Sequence, residues 1–335
     1  MPEIAIQGGN VVAHAAAHFC QRAGLNCQLT AEIDQRPDVD AVILGSNITR
    51  LLRAIDPQRF ETLGHQPSRE QVRLAKSAYL LSELPLGKFH LDRYGAPLVN
   101  VSYQELLDFV RTDSSPVGAK ISVDHTPALT VETTPPTRLA ADETLGVWYA
   151  SQPGTSVANV TWLSDTFIGR QFSTESNTHF IYVGMRPAED AQCHPSLKPF
   201  LQALKFIRPL TYESSQTAMY SGRTAYLGGA FSNSFPLQLP TFQTGIEDAW
   251  VLSRMLENYD DDIVLALSEF ERFRLPRHQK IAAANKMAVH HLLGKKGSTA
   301  VARNLGIAFR ARFLPEMAMQ QVDWYYQYDC IRGFR

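Results

Sequence analysis

No apolar run in this 335-residue chain reaches the roughly 20 residues that cross a bilayer. The opening Met1-Pro2-Glu3-Ile4-Ala5-Ile6 lacks the basic start and apolar stretch of a secretory leader. Both absences lead to the expectation of a soluble, cytoplasmic protein with no membrane span. Cysteine is scarce: Cys20, Cys27, Cys193 and Cys330 are scattered with no CxxC pair. That excludes a disulfide scaffold and a zinc ribbon, and leaves reduced, partly buried thiols. Charge of one sign is also missing, with 32 Lys plus Arg against 33 Asp plus Glu. Such a balance speaks against nucleic acid and against an anionic membrane as partners. No phosphate-binding GxxxxGK[ST] loop, Ser-His-Asp elbow, internal repeat or low-complexity linker occurs.

What is present begins with a strand-like Ile4-Ala5-Ile6, a turn at Gly8-Gly9, an Ala-rich helical run from Val12 to Ala23, a closing Gly24 and a second strand at Cys27-Gln28-Leu29. Strand, glycine turn, helix, strand is the opening of a dinucleotide-binding βαβ unit. Further on, Ser102-Tyr103-Gln104-Glu105 is a capping box that opens a helix over 104–111. Asn47 to Ile55 and Gln243 to Tyr259 read as helices, Asp262 to about Leu293 as one or two more, and Arg310 to Tyr328 as an aromatic-rich helical tail. Short β-like runs between Lys120 and Tyr149 suggest a meander, and 160–185 holds more strand-like sequence.

From Ser221 the chain reads SGRTAYLGGAFSNSFPLQLPTFQTGIEDAWVLSRML. This stretch resembles the GRVxLLGDAAHxxxPxxGQGxNxAIEDAxxLAxxL segment of the aromatic-ring flavin monooxygenases, the salicylate and 4-hydroxybenzoate hydroxylase type. Tyr94 to Leu106 is similar to their YGAPxxxVHRADL, and Ala41 to Leu52 to their GAGIxLxxNxxRxL. Phe270 to Arg274 and Asp323 to Asp329 resemble YExxRxPR and WLYxYD. The resemblance implies an α/β fold: an FAD-binding, Rossmann-like domain of the 4-hydroxybenzoate hydroxylase type over 1–70, 98–155 and 216–300. A smaller β-rich substrate domain would cover 71–97 and 156–215, followed by a helical C-terminal tail over 301–335.

Departures from these motifs fall on the cofactor positions. GxGxxG becomes Gly8-Gly9-Asn10-Val11-Val12-Ala13, with Asn10 where the backbone should approach a pyrophosphate and the milder Ala13 at the third position. The ribose-binding acid aligns with Ala31, GADG with Gly146-Val147-Trp148-Tyr149, and the GD pair with Gly228-Gly229. Pro240 stands in place of a backbone donor in GQGxN. Five lost hydrogen bonds at about 1 kcal/mol each weaken a nanomolar site to micromolar or worse. The expectation is therefore no FAD, and no cofactor at all.

Trp148, Tyr149, Phe231, Phe235, Pro236 and Phe242 are then expected to line or fill the cleft, since interiors pack densely. Tyr103 replaces the motif's Arg, which suits a neutral apolar or aromatic ligand better than an anion. His179 is the candidate for proton transfer, with Tyr182 and Tyr103 beside it. His14 and His18 have metal-ligand spacing on one helix face but no third ligand, so no metal is expected. His290-His291 reads as a surface pair, and Asp124-His125 and Asp165 lie beside the β-rich region. The function expected is a redox-neutral cyclisation, rearrangement or isomerisation of an apolar or aromatic biosynthetic intermediate. The alternatives are a non-catalytic relative that binds a ligand or partner enzyme, and a hydroxylase with a weakened flavin site.

Overall fold

The computed structural model describes residues 3–30, 39–111, 127–135, 142–187, 192–210, 216–232, 241–259 and 262–334. Strands and helices are numbered in chain order. Among these residues a five-stranded sheet holds β1 (Ile4–Gln7), β2 (Cys27–Thr30), β7 (Leu129–Glu132), β13 (Tyr220–Ser221) and β14 (Thr224–Tyr226), in the order β13-β14-β7-β1-β2. All neighbours are parallel except the β13–β14 hairpin. A parallel sheet is covered on both faces, so its strands are apolar throughout. Ile4, Ile6, Leu29, Leu129, Val131 and Ala225 are all buried.

Helix α1 (Val11–Arg22) makes the crossover from β1 to β2, its Ala-rich surface letting α7 (Thr241–Asn258) pack closely against it. A Cβ on Gly245 of α7 would stand 2.6 Å from the Val12 side chain. Gly24 follows the helix with φ +70°, the left-handed position expected of it.

The second sheet is mostly antiparallel and runs β12-β8-β11-β10-β9-β4-β5. Its members are β4 (Arg69–Leu74), β5 (Leu80–Pro85), β8 (Asp142–Pro153), β9 (Ala158–Leu163), β10 (Phe167–Ser173), β11 (Asn177–Gly184) and β12 (Lys205–Leu210). Strand alternation divides its residues between two cores. Val147, Tyr149, Ile168, Phe172, Ile181 and Val183 form the inner face, against Ala41 and Val289. Trp148, Ala150, Phe167, Phe180 and Tyr182 form the outer face, under Leu197 and Phe200 of the segment that carries the short α6 (Lys198–Gln202). A two-stranded ladder of β3 (Ala41–Leu44) and β6 (Val99–Ser102) lies between the sheets, and Asn100 of β6 exchanges side-chain hydrogen bonds with Asn159 of β9.

Around this frame lie α2 (Ser46–Ile55), α3 (Pro57–Phe60), α4 (Gly87–Tyr94) and α5 (Tyr103–Val110). Ser102 and Glu105 close the capping box at the start of α5. Residues 262–292 resolve into one long helix, α8 (Ile263–Leu292), capped by Asp262 and running through Pro276. The C-terminal region is two helices, α9 (Gly297–Phe313) and α10 (Pro315–Tyr326), because Pro315 cannot continue a helix but starts one well.

Two expectations are corrected. The stretch Leu129–Glu132, read as part of a meander, inserts as a parallel strand between β1 and β14. Conversely β8, assigned to the first domain by the range 98–155, is an interior strand of the second sheet, between β12 and β11.

Candidate functional site

The C-terminal ends of β1 and β7 meet the N-terminus of α1. Gly8 leaves β1 with φ +118°, and a Cβ there would stand 2.4 Å from Thr133 Oγ1, so both conformation and space demand glycine. Asn10 caps the helix. Its Oδ1 accepts from the amides of Val12 and Ala13, each at 3.0 Å, and its Nδ2 donates to the Thr133 carbonyl at 3.1 Å. The remaining free amide of the first turn, Val11 N–H, donates to the Tyr103 hydroxyl at 3.0 Å. Leading amides of a helix have no intrahelical acceptor and are where an anion or diphosphate docks. Here the chain's own side chains accept from all three.

The end of β7 closes over the same turn. Thr133 Oγ1 donates to the Gln7 carbonyl at 2.8 Å, and the Thr134 amide donates to Glu132 Oε1 at 2.8 Å. A Cβ on Gly229 would meet the Pro135 ring at 2.8 Å. Gly8, Asn10, Ala13, Tyr103 and Gly229, singled out by sequence, therefore gather at this corner. Thr133, Thr134 and Pro135 were missed, although a Glu-Thr-Thr-Pro-Pro run ending a short apolar strand was visible in the sequence. Ala31, Phe235, Pro236 and Pro240 lie outside the described residues, as do Asp124 and His125.

Trp148 and Tyr149 are not at this corner. They sit on β8, paired with Tyr182 and Ile181 of β11 in the second sheet. Gly146 invited the motif match, but it is glycine for another reason: the Trp148 indole lies over it, 2.6 Å from where its Cβ would be. The residues that end the strand beside β1 are Glu132-Thr133-Thr134-Pro135. Trp148 faces outward, edge-on to Tyr182 and Phe206. Phe231 packs in the first sheet's core, edge-on to His278 at 4.9 Å, and Phe242 packs against the same core.

On the inner face of the second sheet, His179 is buried between Tyr149 and Phe172, with both rings stacked on it. The Tyr149 hydroxyl lies 2.6 Å from its Nδ1, and Thr174 Oγ1 lies 3.1 Å from its Nε2. Because Thr174 Oγ1 also donates to the Asn177 carbonyl, the consistent arrangement has Tyr149 donating to Nδ1 and Nε2–H donating to Thr174. Burial pushes His179 down to about 4, against a smaller upward pull from Asp40. Burial raises the Tyr149 phenol above its ordinary range, with the Asp40 carboxylate adding to the effect. The pair is neutral around pH 7.

Tyr182 cannot assist His179. Three residues along a strand is the opposite face, where Tyr182 stacks on Phe167 at 4.6 Å and donates to the Met185 carbonyl. Tyr103 stands apart from both, at α1. Asn285 of α8, by contrast, was not singled out. It is 2% exposed, and neither amide atom has a partner among the described residues. It lies one helical turn from Ile281, which packs with Tyr325, and one turn from Val289 on the inner face with Tyr149 and Phe172.

A sealed ionic cluster ties α7 to α8. Arg274 bridges Glu247 at 2.8 Å and Asp248 at 2.7 Å, all three side chains having no exposed surface. Arg277 grips both Glu247 oxygens at 2.7 Å, and His278 contacts Asp248 at 3.0 Å. Burial alone would raise both carboxyls. The basic neighbours outweigh it: Arg277 and Arg274 hold Glu247 below its usual range, and contacts with His278 and Arg274 hold Asp248 at about 2. Asp248 also accepts from the Gly228 amide at 3.0 Å, fixing the loop after β14. The cluster positions that loop and touches no open surface.

His14 and His18 share α1 as spaced. His18 Nδ1 lies 3.2 Å from the Val110 carbonyl, and no group of three His, Cys, Asp or Glu gathers among the described residues. Asp165 is in an exposed turn. No described helix is long and apolar enough to cross a membrane.

No family profile and no curated protein matches the sequence. Solved structures do match. HpxO from Klebsiella pneumoniae, complexed with FAD and uric acid, is 16% identical, with a TM-score of 0.75 over 95% of this chain and 96% of that one. A salicylate hydroxylase substrate complex is 12% identical, with a TM-score of 0.75 over 100% and 97%. The 2,6-dihydroxypyridine-3-hydroxylase of Arthrobacter nicotinovorans is 12% identical, with a TM-score of 0.67 over 87% and 92%. With its parallel βαβ sheet, its antiparallel second sheet and its helical C-terminal region, this chain has the fold of the FAD-dependent aromatic hydroxylases.

Proposed function

We propose that this chain keeps the hydroxylase fold but works without flavin, and that it catalyses a redox-neutral step on a small, neutral, apolar or aromatic ligand. One observation carries the first half. The three leading amides of α1 already donate to Asn10 and Tyr103, while Thr133 and Pro135 occupy the approach. A dinucleotide diphosphate would have to displace three hydrogen bonds before making its own. The residues present do not fit it. The ligand class follows HpxO, which holds uric acid, and the salicylate hydroxylase substrate complex. Here, however, the inner face presents Tyr149, Phe172 and neutral His179.

The proton-transfer unit in this reading is His179 with Tyr149, which replaces the pairing with Tyr182. An isomerisation needs a proton removed at one ligand atom and returned at another, leaving the oxidation state unchanged. In this reading the Tyr149 oxygen takes a proton from the ligand as it passes its own hydroxyl proton to His179 Nδ1, and both return when the ligand is reprotonated at its second atom. Asn285 adds an unused donor and acceptor from the facing helix, able to orient a carbonyl or hydroxyl.

A non-catalytic, ligand- or partner-binding role is the second reading. It is favoured by both His179 nitrogens already having partners within the chain. The deciding experiment incubates purified protein with excess FAD, gel-filters it and reads the flavin absorbance, then offers neutral aromatic ring compounds without flavin or NAD(P)H. The proposal expects no retained flavin, and turnover that Tyr149→Phe lowers by about a hundredfold. Stoichiometric retained flavin overturns the flavin-free reading. Ligand binding without turnover leaves the second reading in its place.

A further inference from the structure

We propose that α9 docks the chain on an anionic membrane surface, lying in the plane of the interface. The proposal stands apart from the chemistry above. Between Glu271 and Glu316 the sequence has no Asp or Glu, yet it carries Lys or Arg at 272, 274, 277, 280, 286, 295, 296, 303, 310 and 312. The whole-chain charge of −1 hides this segregation, which is why composition alone argued against an anionic membrane. Some of these charges are accounted for. Arg274 and Arg277 belong to the sealed cluster, Arg272 pairs with Glu269, Lys280 sits over Trp324, and Arg303 is buried near Asp165. Lys286, Lys295, Lys296, Arg310 and Arg312 make no ion pair among the described residues. His291, in the last turn of α8, shows the local field. Beyond burial, the charges that lower its pKa are Arg310, Lys295, Arg303 and His290, all cationic when charged.

Along the outer side of α9 run Val301, Leu305, Phe309 and Phe313, spaced by four and 56%, 64%, 56% and 63% exposed. Phe309 and Phe313 touch, with ring centroids 5.0 Å apart. The stripe continues into Leu314 and Met317. The other side of the helix is already used, with Ile307 and Ala308 packed on the inner-face core. The outer stripe thus does not serve the fold. Soluble monomers rarely leave such a contiguous apolar patch uncovered.

Charge and exposure decide the occupant. A second copy would bring the same cationic helix against itself. The stripe runs along the exposed side of one helix, with Lys295 and Lys296 before the helix starts and Arg310 and Arg312 near its end. A stripe of this kind sinks between lipid headgroups while its flanking cations meet anionic phosphates. At 17 residues α9 is about 25 Å long, and it is not apolar enough to cross the bilayer.

The test co-sediments the full chain with vesicles of phosphatidylcholine alone, and with vesicles of phosphatidylcholine and phosphatidylserine in equal parts. Binding is expected only to the mixed vesicles, and it should weaken as salt rises. Phe309→Ser/Phe313→Ser and Lys295→Glu/Lys296→Glu should each lower the bound fraction about tenfold or more with unchanged thermal melting, because the altered side chains are outside the core. Wild type that ignores both vesicles, or variants that bind as well as wild type, would overturn the proposal. So would a concentration-dependent dimer in ultracentrifugation that the double serine variant abolishes, since that would assign the stripe to a second copy.

Discussion

Replacing Tyr103 by Phe removes one oxygen and leaves the ring in place, so its effect reports on what that hydroxyl holds. In the native chain that oxygen accepts from the Val11 amide at 3.0 Å, and Val11 is 1% exposed. If the corner between β1, β7 and α1 is closed, the stranded N–H reaches neither water nor another acceptor. The cost is then that of a buried unsatisfied donor, about 1–3 kcal/mol. If the corner is instead an open anion site, water takes the place of the hydroxyl and the cost falls below about 0.5 kcal/mol. Urea unfolding of wild type and Tyr103→Phe, followed by circular dichroism, separates the two. Inorganic diphosphate gives a second arm, because an anion that binds only the folded state raises stability by mass action. The closed corner predicts a loss above 1 kcal/mol and no stabilisation of wild type by diphosphate. A negligible loss together with diphosphate stabilisation would refute the argument on which the flavin-free reading rests.

Removal of the central cation, Arg274→Met, should cost about 3–5 kcal/mol by leaving Asp248 and Glu247 short of a buried partner, and a wild-type melting curve would contradict that. Gly146→Ala should cost about 1–3 kcal/mol through its clash with Trp148, and much less when Trp148 is also Ala. The absence of such rescue in the double variant would remove Trp148 from its outward place. His179 and His90 are both held at about 4 by burial, against 6.5 ordinarily. The unfolded chain takes up these protons as pH falls below 6.5, whereas the folded chain does so only near 4. Stability from this source is therefore complete above 6.5 and is lost as pH falls through that window, by up to about 3 kcal/mol for each histidine. His179→Phe should flatten the decline, and an unchanged pH profile would show that His179 is solvated.

Local chemistry was legible in the residues themselves. A Gly-Gly turn between apolar strands announced the βαβ opening, and Ser102 with Glu105 announced a helix start, because capping and turn preferences act within a few residues. The sealed cluster was half visible, since Ile246–Ala249 and Phe270–Arg274 matched known motifs, although nothing in either stretch said that they grip one another. Strand alternation had already placed His179 and Tyr182 on opposite faces, three residues apart, and the pairing proposed for them ignored it.

Which strand lies beside β1 could be decided only by tertiary structure. A lone glycine such as Gly146 reports that something approaches its Cα, but not what, and the approaching group was Trp148 rather than a cofactor. The part of the α1 closure that comes from Tyr103 and Thr133 was equally out of reach. Tyr103 meets Val11 across 92 positions, and Thr133 meets Gly8 across a similar span. Contacts of that length depend on how sheets and crossovers stack, a condition no local propensity encodes. Residue preferences thus determined the elements and the family likeness of the chain. Asn10 caps two of the leading α1 amides locally, while the packing of distant segments supplied the third acceptor, Tyr103, and brought Thr133 and Pro135 over the turn.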